Sequence, residues 1–177
     1  MSQGQLTVLG DWADPNFGGR YFDRALMEHF AKEFNDKYKI DVLSNPKSTF
    51  RLAAGCERLK KVLSANTFAQ LNVESLMNDI DAASQLKREE FENLIAPYLE
   101  RVHEPLDAAL SQSGLTKDEI FSIELVGGSS RVPALKERIS QWFGRPLSYT
   151  LNQDEANVRG CTLACATLSP VFSVREF

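Results

Sequence analysis

Apolar residues recur every three to four positions over long stretches of this chain and alternate with polar ones over short stretches, which predicts interleaved helices and strands. From about Tyr21 to Lys37, Phe22, Leu26, Phe30 and Phe34 give a helix one apolar face, and Met27 and Ala31 widen it. Before it, Gln5–Ala13 alternates as a strand does, and Asp14-Pro15-Asn16 and Gly18-Gly19 make a turn-rich loop. Asn45-Pro46 marks the start of a second helix running to about Ser64, with Pro in its first turn. Thr67–Ser75 and Leu76–Ala82 read as two short strands buried through Val73, Leu76, Met77 and Ile80, and the polar stretch Asp79–Gln85 has room for a third.

Lys87–Ser111 is a long helical pattern that Pro97 and Pro105 should kink or break. Thr116-Lys117-Asp118-Glu119 has the form of a capping box. Ile120–Val126 is a mostly apolar strand whose continuous run suggests burial on both faces, as in an α/β sheet. Pro133–Phe143 is a helix closed by Gly144, Leu147–Tyr149 a short strand, and Asp154–Leu168 a last helix ended by Pro170. The order predicts an α/β protein with a helix-rich insertion between about Gly18 and Ile95.

With 177 residues, 43% of them hydrophobic, the chain can bury a real core as one domain or two small subdomains. A net charge of −4 and a pI near 5.3 argue against a general nucleic-acid binder. Three cysteines without framework spacing suggest a reducing compartment. Cys161 and Cys165 lie four apart in an apolar run, which predicts buried structural cysteines rather than metal ligands. No apolar run is long enough for a membrane span, and Met1-Ser2-Gln3-Gly4 shows no apolar signal region, so a cytoplasmic chain is expected.

Two segments carry candidate chemistry. In Gly55–Ser64, Glu57, Lys60, Lys61 and Ser64 stand at i, i+3, i+4 and i+7 and share one helix face. Glu57 can accept from ribose hydroxyls, Lys60 can donate, Lys61 can lay its stem on a base, and Ser64 can bond an adenine edge. A solvated face with a Glu57–Lys61 pair explains the same residues. In Leu125–Pro133, Gly127-Gly128 forms a turn between strand and helix, Ser129 or Ser130 can cap that helix, and Arg131 offers a planar cation for a purine ring. A tight turn with a capped helix is the simpler explanation. Asp154 and Glu155, opening the last helix, either serve its dipole or rim a nucleoside pocket. No Ser/His/Asp order, HExxH or CxxC is present, and no segment resembles a phosphoryl-transfer DxGxT loop.

Several motifs, in their order and spacing, resemble the nucleotide-binding domain of the 70-kDa heat-shock protein superfamily. These are Phe17-Gly18-Gly19 followed by Phe22-Asp23, Cys56-Glu57-Arg58-Leu59-Lys60-Lys61 with Leu63-Ser64, Val126–Pro133, and Asn152-Gln153-Asp154-Glu155-Ala156. Gly18-Gly19-Arg20, Leu63-Ser64-Ala65-Asn66, Met77-Asn78-Asp79 and the ending from Ser169-Pro170 to Val174-Arg175-Glu176-Phe177 resemble its 110-kDa branch, whose members serve as nucleotide-exchange factors for 70-kDa relatives.

The resemblance implies the second lobe of an actin-like ATPase domain, truncated. Residues 1–17 and 96–169 would form an incomplete sheet-bearing base, 18–95 an inserted helical and β subdomain, and 170–177 the start of a linker. It implies that Glu57, Lys60, Lys61, Ser64, Gly127, Gly128, Ser129, Arg131, Val132 and Asp154 surround the adenosine of ATP or ADP. Lys61 stands where the 70-kDa branch usually has Arg, and a Lys stacks on adenine less well. Arg20 stands where that branch has Glu. The family's first lobe, its catalytic Lys, its metal-binding Asp and both phosphate loops find no counterpart in the sequence, which implies no ATP hydrolysis, no metal site and only weak binding, of order mM. Two strands that the family places between Gln5–Ala13 and Ile120–Val126 also lack a counterpart. The Gln5–Ala13 segment should therefore pair differently, lie loosely or borrow a neighbouring chain.

The expected partners are a 70-kDa heat-shock chaperone, contacted through the inserted subdomain with Ala65 and Asn66 as candidate contacts, and the first lobe of the chain's own domain. No nucleic acid or membrane is expected. Two other readings stay open: half of an actin-like ATPase that works once its first lobe is supplied, and a stand-alone interaction module with a relict nucleoside pocket.

Overall fold

A computed structural model describes residues 7–171. Gln5 and Leu6, Met1–Gly4, and the ending from Phe172 to Phe177, on which parts of the reading above fall, lie outside the described residues. The chain divides into two compact units, 14–101 with 132–134, and 7–13 with 102–131 and 135–171.

The first unit is built on α1 (Gly19–Tyr38), α2 (Pro46–Ala65), a hairpin of β1 (Phe68–Met77) and β2 (Ile80–Lys87), and α3 (Arg88–Leu99). α1 follows from its apolar stripe: Phe22, Leu26, Phe30 and Phe34 are each fully buried. It starts after Gly18, whose φ of 139° favours glycine, and ends where Lys39 turns left-handed and donates its N–H to Asn35. The Asn45 side chain accepts from the N–H groups of Lys47 (2.9 Å) and Ser48 (3.4 Å) to start α2, with Pro46 in the first turn. Leu52, Cys56, Leu59 and Leu63 bury the α2 face. Gly55 lets the helix lie close on β1: a Cβ there would stand 2.8 Å from the Leu71 side chain.

The hairpin differs from the sequence expectation. Leu76 and Met77 continue β1 rather than opening a second strand, and Asp79–Gln85 carries β2 rather than a third strand. The cause is a register shift between Val73 and Met77. Ala69, Leu71 and Val73 point to the core, Ser75 sits at φ 47°, and Leu76 then resumes the buried side one residue out of phase. The Asp81 carboxylate accepts the Ser75 N–H at 2.7 Å, and Ser48 Oγ donates to the Leu76 carbonyl at 2.7 Å. Asn78 and Asp79, at φ 52° and 57°, make the two-residue turn that favours hairpins.

The break expected in Lys87–Ser111 falls at residues 100–102, a short 3-10 turn between α3 and α4 (His103–Ser113). Pro97 stays within the last turn of α3, and Pro105 lies in the first turn of α4, where its missing N–H costs nothing.

The second unit holds α4, α5 (Pro133–Phe143) from Leu135 on, and α6 (Ala156–Leu168). Its expected strands do not form among the described residues. Residues 7–13 are irregular and lie along α4: a Cβ on Gly10 would stand 3.0 Å from the Ala109 carbonyl and the Ser113 nitrogen, and the Asp11 N–H donates to the Gln112 side chain at 2.9 Å. Leu9, Gly10, Leu106, Leu110, Ile120 and Trp142 line an apolar groove of about 360 Å³ there. Ile120–Val126 and Leu147–Tyr149 meet through one parallel bridge, Glu124 with Ser148, supported by Thr150 donating to the Glu124 carboxylate at 2.7 Å. A strand interior to an α/β sheet needs a paired neighbour on each side. With one bridge the run stays extended but unladdered, and Phe121 is fully exposed. Thr116 and Glu119 do form the expected capping box, around a short 3-10 turn.

The expectation for the cysteines is corrected. Cys161 and Cys165 are exposed, because α6 buries none of its residues, whereas Cys56 is fully buried in α2. Burial pushes the Cys56 thiol up to about 12. A thiol whose folded value is raised adds stability that is complete below about 9, its ordinary value, and is lost as pH rises toward 12. Native protein should therefore expose two rapidly titrating thiols to a disulfide reagent, and a third only after unfolding. Three equally fast thiols would contradict the burial of Cys56. No helix among the described residues is long and apolar enough to cross a membrane.

Candidate adenosine-contact residues

Glu57, Lys60, Lys61 and Ser64 all lie on α2, but they do not form one uniform surface. Glu57 and Lys61 are exposed and pair at 2.7 Å, which holds the Glu57 carboxyl below its ordinary value. Ser64 is half-buried and donates its hydroxyl back to the Lys60 carbonyl at 3.1 Å. Lys60 turns inward. It is 9% exposed, its Nζ lies 2.7 Å from Asp23 Oδ2 on α1, and it donates to the Gly19 carbonyl at 3.3 Å. Asp23 was not singled out as a site residue, yet a signal for it exists. Asp23 stands at i−3 and i−7 from Leu26 and Phe30, and Lys60 at i+4 and i−3 from Cys56 and Leu63. Opposite charges each placed on an apolar stripe point to a buried pair. Ala65 and Asn66 end α2 and are exposed, and the Asn66 N–H closes the helix by donating to Val62 at 2.8 Å.

In the other unit the Gly127–Arg131 turn is joined to the loop before α6. Gly127 adopts φ 86° and donates its N–H to the Gln153 carbonyl at 2.7 Å. Gly128 has an ordinary φ, and a Cβ there would meet nothing within 4 Å, so packing alone does not require a glycine. Arg131 donates to the Gln153 side chain at 3.3 Å and pairs with the Asp154 carboxylate. Both members of that pair remain more than half exposed, so its stabilising effect is small. Ser130 is buried and donates its hydroxyl back to the Gly127 carbonyl at 2.6 Å, so it closes the turn instead of capping a helix. Ser129 is half-buried. Val132, grouped with the other unit, is buried at 1% exposure, which leaves its main chain as the part able to meet a ligand.

Asp154 and Glu155 precede α6 rather than opening it, since the helix starts at Ala156. Asn152 organises that start: its side chain accepts from the N–H groups of Asp154 at 3.0 Å and Glu155 at 3.2 Å. Glu155 pairs with Arg159 at 2.7 Å. Among the described residues no group of three or more His, Cys, Asp and Glu is placed to hold a metal ion.

The whole chain, residues 1–177, matches the family described as Hsp70 protein, and it belongs to that family. It is a piece of an Hsp70-type ATPase domain, which has the actin-like fold, and it mixes helix and sheet. Across all of its length it is 56% identical to heat shock protein hsp88 of Neurospora crassa, and 58% and 55% identical to Sse-type heat shock protein homologs of Candida glabrata and Saccharomyces cerevisiae. These similarities fall in the 110-kDa branch of the family. The chain spans about a quarter of the length of these relatives, 25%, 26% and 26%.

Proposed function

We propose that this chain is the adenosine-binding second lobe of a 110-kDa heat-shock-type chaperone that acts as a nucleotide-exchange factor for 70-kDa chaperones. The observation that supports it best is the joining of two family-like segments 22 and 23 residues apart. Gln153 and Asp154 bond Arg131, and an exposed guanidinium is thereby held beside a glycine turn whose second glycine faces open space. A fixed, planar, exposed cation suits the face of a purine. Glu57, Lys60, Lys61 and Ser64 on α2 supply donors and acceptors for ribose and base edges. Gly127, Gly128, Ser129 and the main chain of Val132 contribute backbone contacts. On this reading residues 18–95 form the inserted subdomain on a base of residues 1–17 and 96–169, and the chain supplies adenosine contacts and no catalytic group.

Exchange belongs to the longer protein and is tested there, by placing this chain in a full-length relative in exchange for its matching quarter. Ala65 and Asn66 are the proposed partner contacts. Asn66→Lys should slow ADP release from a 70-kDa partner about tenfold, the effect of losing one well-placed interface contact. Exchange at the unsubstituted rate would count against the contact.

A further inference from the structure

The strongest unassigned feature of the first unit is the carboxylate facing Lys60. Asp23 stands in the first turns of α1, with its side chain 23% exposed and that of Lys60 11%. Oδ2 takes the ammonium at 2.7 Å, while Oδ1 is enclosed and has no hydrogen-bond partner among the described residues. The Gly19 carbonyl takes a second N–H of the ammonium at 3.3 Å. An ammonium has three donors, so these two contacts fix its direction and leave one N–H for a ligand oxygen. The carboxylate also cancels its charge. A free lysine head attracts anions as a point charge, whereas one neutralised at 2.7 Å offers a directed donor with little net field.

We infer that Asp23 is the positioning residue of the adenosine site, aiming Lys60 and setting its preference for a neutral hydroxyl, such as those of ribose, over phosphate. The inference rests on the reading of Lys60 as a ribose contact. Preorganisation of this kind strengthens binding by removing an ordering cost that the ligand would otherwise bear. It also lets Lys60 stay buried, because a buried cation needs a paired and hydrogen-bonded partner.

The test is amide NMR of the full chain titrated separately with adenosine and with inorganic phosphate. Asp23→Asn should weaken adenosine roughly tenfold, and should make the α2 amides near Lys60 respond to phosphate, whereas those of the wild type should stay unmoved. A variant that binds adenosine as the wild type does, with no response to phosphate, overturns the inference. A role in packing alone would not move the choice between adenosine and phosphate.

If Asp23→Asn fails to fold, the comparison moves to Lys60→Met with and without Asp23→Asn. Equal adenosine affinity in the two supports action through Lys60, and a further loss without Lys60 overturns it. If wild-type protein shows no adenosine response, the reading of Lys60 as a ribose contact fails, and the phosphate arm decides the part of the inference that does not depend on it, that Asp23 aims Lys60 and masks its charge. A phosphate response that appears only on loss of Asp23 supports it, and no response overturns it.

Discussion

Phe30→Ala is expected to destabilise the 14–101 unit by about 3–5 kcal/mol, the cost of truncating a fully buried aromatic. Phe30 has no solvent exposure and sits in the middle of the α1 stripe, its ring 5.9 Å from that of Phe34 and 5.1 Å from that of His29. Removing it deletes transfer free energy and leaves a cavity that neighbours already in contact can only partly fill. Against a total domain stability of about 5–15 kcal/mol, that loss removes a large fraction of the total, and at the low end of the range it unfolds a substantial share of molecules. Urea denaturation followed by circular dichroism measures it as a lower midpoint with an unchanged slope. Val62→Ala, at a position 42% exposed, is the control and should shift the midpoint little. A Phe30→Ala protein as stable as that control would contradict the packing of α1 described here.

Lys60→Met is expected to cost about 2–3 kcal/mol, somewhat less than breaking a fully buried pair because Asp23 retains some exposure. The loss comes less from the attraction than from what remains: a carboxylate with one oxygen already enclosed and unpartnered, now without its cation. Adding Asp23→Asn in that background should recover part of the stability, since removing both charges also removes the uncompensated one. Thermal and urea unfolding of the two single variants and the double variant give the coupling. Additive losses would mean that the two charges do not depend on each other.

The helices of the first unit were legible because periodicity is local: Phe22, Leu26, Phe30 and Phe34 mark α1 within its own sequence, and Asn45-Pro46 marks the start of α2. The hairpin was split wrongly because a register shift at Ser75 interrupts the alternation, and because its left-handed turn uses Asn78-Asp79, with no glycine to announce it. The alternation over 7–13 and the apolar run over 120–126 form no strand among the described residues, for a different reason. A strand exists only with a neighbour, and alternation alone does not supply one. Residues 7–13 lie on α4 instead, and Phe121 stays in solvent.

The candidate site divides in the same way. The Glu57–Lys61 pair follows from i, i+4 spacing on one helix. The pairing of Arg131 with Asp154 spans 23 residues and no local pattern encodes it, while the inward turn of Lys60 toward Asp23, 37 residues away, shows in the sequence only through the place of each charge on an apolar stripe. Asp23 was visible only as a charge on an apolar stripe.

The claim that this chain carries the adenosine-contacting face of its family is tested most directly by heteronuclear NMR titration with adenosine and with ADP. The account predicts shifts confined to Glu57–Ser64, Gly127–Arg131 and the Gln153–Asp154 loop, with dissociation constants of order mM. Similar affinities for the two ligands are expected, because no phosphate contact is proposed. A well-dispersed spectrum unmoved by either ligand would contradict it.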